Sequence, residues 1–141
     1  MNKAKAIGAT HTINSGESNP SDVINKHTDN GVDVAFEVAG VAPTLKSAID
    51  VTKARGTVVI VSIFGHPIEW NPMQLTNTGV KLTSTIAYTP TTFQQTIDLI
   101  NEGNLKVKDV ITDEIELDDI VESGFEKLIN DKSQAKILIK L

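Results

Sequence analysis

Residues 31–65, GVDVAFEVAGVAPTLKSAIDVTKARGTVVIVSIFG, read as a strand, a tight turn, a helix, a second turn and a strand. Parallel neighbours need a long crossover connection, so a unit of this kind builds a parallel sheet, and such sheets take ligands at the carboxyl ends of their strands. Asn30-Gly31 is a turn dipeptide, and after it Val34, Phe36 and Val38 share one strand face while Ala35 lies on the other. The strand ends at Gly40. Pro43 falls where a first helical turn tolerates it, and Leu45, Ala48, Ile49 and Thr52 recur at helical spacing until Gly56, which is expected to stop the helix. The unbroken apolar run 58–61 predicts a strand covered on both faces. The fold class is therefore α/β with a parallel sheet, which alone does not fix a function.

A chain of 141 residues is one domain by length and is large enough to hold a core. Its formal net charge of −5 supplies no basic surface for a phosphate backbone, which argues against nucleic acid as a partner. Cysteine is absent, so disulfides and thiolate ligands are excluded. No apolar run approaches the roughly 20 residues of a membrane span, and the start MNKAKAIGA lacks a signal-peptide core. A soluble, cytoplasmic protein without membrane contacts is expected.

Elsewhere the punctuation is clear. Lys3 to Ile7 followed by Gly8 reads as the last turns of a helix whose beginning is expected before Met1. Residues 10–14 read as a short strand, and Asn19 caps a helix with Pro20 at its first position and Asp22 in its first turn. A turn of helix is expected near residues 72–75. Residues 80–86 alternate, with Val80, Leu82, Ser84 and Ile86 facing one way, as in a strand at a sheet edge. Thr91 or Thr92 caps a helix carrying Phe93, Ile97 and Ile100 on one face, and Gly103 closes it. Val110, Ile111, Ile115 and Leu117 mark an extended piece. Asp118 then caps a helix whose buried stripe is Val121, Phe125 and Leu128, and residues 136–141, KILIKL, alternate as a closing strand.

The segments GATHTINS, GVDVAFEVAG, ARGTVVIVSIFG, GNLKVKDVITDEIELDDIVESGFEKLIND and AKILIKL, in this order, resemble the carboxyl half of medium-chain, zinc-dependent alcohol and polyol dehydrogenases. Within that family they resemble the sorbitol and 2,3-butanediol dehydrogenase branch. The resemblance covers essentially the whole chain. It implies an incomplete Rossmann-type parallel sheet over residues 1–88, followed by helices and strands over 89–141 that partly return to a GroES-like catalytic domain. It also implies an oxidoreductase that moves a hydride between a secondary alcohol or polyol and NAD or NADP, with NAD favoured, small-molecule alcohols as substrates, and a homo-oligomeric assembly. In that family an earlier domain supplies the catalytic zinc ligands, and a glycine-rich dinucleotide fingerprint follows it. No GxGxxG occurs here, and zinc is expected in the parent enzyme only.

The cofactor-wall residues implied by the resemblance are Val38, Ala39 and Gly40 after the first strand, Val61, Ser62 and Ile63 after the next, and Ile86, Ala87 and Tyr88 after the third. Polyol dehydrogenases tend to carry an arginine in this last segment, where Ala87 stands. Lys136 reads either as a basic residue near the cofactor pyrophosphate or as a surface lysine. No catalytic residue and no metal ligand is assigned. His11, His27 and His66 lack metal-ligand spacing, and Asp113-Glu114 and Asp118-Asp119 read as caps and exposed charge. Glu37 is unusual in an apolar strand and reads either as a solvated carboxylate near the strand end or as a group approaching a bound ribose. Trp70 and Met73 are expected to pack on the sheet edge, with a subunit contact as the alternative. A non-enzymic α/β module that binds a nucleotide or a protein stays open as the alternative.

Overall fold

The computed structural model describes residues 1–141. In chain order its elements are α1 (Asn2–Ala6), α2 (Pro20–His27), β1 (Val32–Glu37), α3 (Ala42–Val51), β2 (Thr52–Ile60), α4 (Met73–Thr78), β3 (Lys81–Ser84), α5 (Pro90–Asn101), β4 (Ile111–Glu116), α6 (Lys127–Asn130) and β5 (Lys136–Lys140). A 3-10 turn at Val107–Val110 precedes β4, and a 3-10 turn at Leu117–Asp119 followed by a π-helical stretch at Ile120–Glu126 leads into α6. Two compact units result, one of Ile13–Ala87 and one of Met1–Thr12 with Tyr88–Leu141.

In the Ile13–Ala87 unit β1, β2 and β3 form a parallel sheet in that order. The apolar side of α3 meets the middle strand, so Leu45, Ala48, Ile49 and Val58 form a core with Val80, and Ala35, Ile60, Phe64, Ile68, Leu75 and Leu82 pack around it. Only one sheet face is fully covered: Val58 is buried, while Val59 on the other face is half-buried and Val61 exposed. Val34, Phe36 and Val38 do share a face, and it is open, Phe36 being 65% exposed.

Several expectations are corrected here. Residues 10–14 form no strand. The segment bends instead around Asn14, whose side-chain oxygen accepts from Gly16 N at 3.1 Å and whose carbonyl accepts from Glu17 N and Ser18 N at 3.0 Å. Such local bonds compete with a ladder, and the outer edge of β1 has no strand paired to it. Gly56 does not stop α3, which ends at Val51. Thr52 caps the end by donating from its hydroxyl to Ala48 O at 2.6 Å and starts β2 without a loop. The register then jumps from Val32↔Thr52 to Val34↔Thr57, so residues 53–56 bulge out opposite Asp33. A Cβ on Gly56 would lie 2.6 Å from Thr52 Cγ2, so crowding inside this bulge is what selects glycine. β3 occupies the sheet edge as expected but stops at Ser84, where its pairing with Ile60 ends. The Asn19 cap forms as expected, its side chain accepting from Ser21 N at 2.9 Å.

In the other unit α1 ends with Lys3 and Lys5 in its last turn, and Gly8 follows at φ 117°. The cap of α5 is Thr89 rather than Thr91 or Thr92. Pro90 suits the first helical position, and the Thr89 hydroxyl accepts from Thr92 N at 3.1 Å. β4 and β5 pair in parallel, with Ile115 buried. The stripe Val121, Phe125, Leu128 is not buried: all three are exposed, and Gly124 faces inward, where a Cβ would lie 3.3 Å from Ile115 Cδ1. A π-helix turns less per residue than an α-helix, and this rotates the inward face away from an α-helical stripe. Asp118 lies within the 3-10 turn and caps nothing. No helix is long and apolar enough to cross a membrane.

Ile49 is 2% exposed in the core and Phe36 is 65% exposed. Ile49→Ala is therefore expected to cost about 2–5 kcal/mol in urea unfolding followed by Trp70 fluorescence. Phe36→Ala is expected to stay within about 0.5 kcal/mol. Equal losses would refute this placement of the core.

Candidate functional site

The carboxyl ends of β1, β2 and β3 lie side by side. Beyond β1 the chain turns through Val38, Ala39 and Gly40 into α3, and beyond β2 it continues through Val61, Ser62 and Ile63. The main chain ties the two ends together, Glu37 O accepting from Val61 N at 2.9 Å and from Ser62 N at 3.3 Å. Beyond β3, Thr85 N donates to Ile60 O at 3.1 Å and brings Ile86 and Ala87 alongside. The rim so formed is apolar and open, Ile63 and Ile86 being 93% and 94% exposed and Val38 66%. Ala87 has φ 52°.

One side chain organises the floor of this rim. Glu37 is 2% exposed, so it is neither the solvated carboxylate nor a free ribose ligand. Its Oε1 accepts from Ala39 N at 2.9 Å, Gly40 N at 2.9 Å and the Thr44 hydroxyl at 2.7 Å, and its Oε2 accepts from the Ser62 hydroxyl. Burial pushes its pKa up, but the hydrogen bonds from Ser62, Thr44, Gly40 and Ala39 outweigh burial and hold it at about 2. Glu37 is thus an internal anion that staples the β1–α3 turn to the end of β2. Gly40 fits this turn for two reasons: its φ is 74°, and a Cβ there would lie 2.5 Å from Ile63 O.

The structure brings Val38, Ala39, Gly40, Val61, Ser62 and Ile63 together, with Ile86 and Ala87 at the neighbouring strand end. Tyr88 and Lys136 belong to the other unit. There Tyr88 stacks on Phe93 with ring centroids 5.6 Å apart, and Lys136 is exposed at the start of β5. Trp70 lines an open groove with Pro43, Lys46 and Gln74, and Met73 is exposed, while Ile68 and Leu75 of the same connection pack against the core. Asp113 pairs with Lys127 at 2.5 Å, and its hydrogen bond to that ammonium holds its carboxyl below the usual range. Sequence reasoning missed Thr44 and the buried role of Glu37. The available signal was a threonine seven residues after a carboxylate that sits beside a glycine turn.

The family model for the zinc-binding dehydrogenase matches residues 1–102. The chain belongs to the zinc-binding dehydrogenase family. It is 37% identical over 138 residues to (R,R)-butanediol dehydrogenase of Bacillus subtilis, an alignment covering 98% of this chain and 40% of the relative. The crystal structure of 2R,3R-butanediol dehydrogenase from Bacillus subtilis superposes with a TM-score of 0.88 at 36% identity, covering 99% of this chain and 40% of that one. A zinc-binding dehydrogenase from Sinorhizobium meliloti 1021 bound to NADP gives a TM-score of 0.78 at 26% identity, with 98% and 41% covered. The chain thus spans about 40% of the length of the relatives it matches. Its parallel sheets correspond to the C-terminal, Rossmann-like part of zinc-type dehydrogenases.

The zinc of the family finds no ligand set here. Cysteine is absent, and no three or more His, Asp or Glu side chains come close enough to hold a metal ion. No chemical step is assigned to a metal on this chain.

Two outcomes test the floor. Gly40→Ala is expected to cost at least about 1–2 kcal/mol from the left-handed backbone alone, whereas Gly65→Ala, with nothing within 4 Å, is expected to be tolerated. Glu37 has a folded pKa of about 2 against an ordinary 4.5, so its contribution is present above pH 4.5 and is lost as pH falls toward 2. Unfolding midpoints measured across that window are expected to fall less steeply for Glu37→Gln than for the unsubstituted chain, and parallel curves would contradict the buried anion.

Proposed function

We propose that the strand ends of the Ile13–Ala87 unit form one wall of the nicotinamide cofactor site of an alcohol dehydrogenase that acts on a secondary alcohol or diol. The observation that supports this is the row of open, apolar carboxyl ends on three parallel strands, two of them stapled by Glu37, in a chain 37% identical to a butanediol dehydrogenase. Ligands of open parallel sheets lie at such ends. When bound, a nicotinamide supplies the hydride acceptor or donor.

The chain's own residues bind, orient and exclude water. Val38 and Ala39–Gly40 set the contour after β1, Ser62 sits between the exposed Val61 and Ile63, and Ile63 and Ile86 offer apolar cover for a flat ring. The cofactor is proposed to be NAD or NADP, with NAD favoured. Cytoplasmic location and homo-oligomeric assembly belong to the same proposal.

This chain by itself is proposed to be inactive, because it carries neither zinc ligands nor the glycine-rich turn that holds a pyrophosphate. With the purified chain, metal analysis is expected to find no stoichiometric zinc, and assays with secondary alcohols and either cofactor no turnover. NAD is expected to bind with a dissociation constant weaker than about 1 μM while shifting the backbone resonances of Val38, Gly40, Ile63 and Ile86 in nuclear magnetic resonance spectra. One zinc per chain or any turnover would overturn the inactivity, and unshifted resonances at millimolar NAD would overturn the wall.

A further inference from the structure

We infer that Glu37 is a positioning residue for the cofactor wall: it holds two separate strand ends as one rigid surface without touching the cofactor itself. This rests on the cofactor-wall reading. A carboxylate at the last position of an edge strand ordinarily turns to water, yet Glu37 is 2% exposed, and three of its four side-chain donors come from the segments that shape the wall. Ala39 N and Gly40 N belong to the turn after β1, the Ser62 hydroxyl to the segment after β2, and the Thr44 hydroxyl to the first turns of α3.

The arrangement is over-determined at one residue. The carbonyl of Glu37 accepts from Val61 N and Ser62 N while its side chain accepts from Ser62 on one oxygen and from the turn on the other. The turn therefore cannot move relative to residues 61–63 without breaking charge-assisted bonds in a water-poor site, where each unpaired donor carries a desolvation cost. A wall ordered before the ligand arrives spares the ligand that ordering cost. Nothing exposed is left on Glu37 with which to meet a ligand, so its influence passes through the Ala39–Gly40 backbone and Ser62.

Substitution can separate charge from shape. In Glu37→Gln the amide oxygen can still accept from Ala39, Gly40 and Thr44 while the amide nitrogen donates to the Ser62 hydroxyl, so the fold is kept and only the charge is lost. Thr44→Val removes one donor from α3, outside the wall, without changing branching at Cβ. Hydrogen exchange of single amides and NAD titration followed by backbone resonances are measured on the full chain and on both variants. The expected result is roughly tenfold faster exchange at Ala39 and Gly40 in Glu37→Gln, smaller but same-sign acceleration in Thr44→Val, unchanged protection in the β2 ladder, and several-fold weaker NAD binding that follows the same order. Glu37→Asp, one methylene shorter but charged, is expected to recover part of the affinity lost in Glu37→Gln. Unchanged exchange at Ala39 and Gly40, or faster exchange with unchanged NAD affinity, overturns the positioning role alone. Absence of NAD-induced shifts in the unsubstituted chain overturns the cofactor wall, and the positioning role with it.

Discussion

A carboxylate without water must find its donors in the protein, and much of the geometry of residues 37–63 follows from that requirement at Glu37. Removing an ion from water costs several kcal/mol even after relaxation, so burial is tolerable only when the lone pairs are filled. Filling them requires the chain to reverse at once after β1, so that the amides of Ala39 and Gly40 point back at the strand they have just left. The reversal brings residue 40 against the Ile63 carbonyl and into positive φ, which only glycine accepts without strain. It also starts α3 at Ala42, early enough for Thr44 to reach the same oxygen.

How far this was legible depends on the range of the interaction that decides each feature. The strand, helix and strand between residues 32 and 60, the Asn19 cap and the edge position of β3 follow from local patterns, and the structure contains them. The end of α3 was misread because glycine stops helices in general, while here Thr52 does so through its hydroxyl and Gly56 relieves crowding within a bulge. Residues 10–14 have the composition of a strand but no ladder to join. The stripe Val121, Phe125, Leu128 assumed α-helical spacing, which a π-helical stretch does not keep.

The strand ends were legible in position, and the staple that joins two of them was not. Strand ends can be located by pattern, and the family resemblance put Val38 to Gly40 and Val61 to Ile63 on one wall. Glu37 was misjudged because its partner Ser62 lies 25 residues away, and no local rule marks that contact. Charge alone argued for water.

The staple has a consequence for what can approach the turn from outside. Consecutive backbone N–H groups converging on one point form a concavity that captures anions from solution. In this chain the concavity at residues 39 and 40 is already occupied by the protein's own anion, delivered from below. A phosphate arriving at this turn meets spent donors and, beneath them, a charge of its own sign. Val38 and Val41, which flank the turn, are exposed and apolar. An anion at this turn would therefore find no free amide at residues 39 and 40, whereas an apolar surface would find Val38 and Val41.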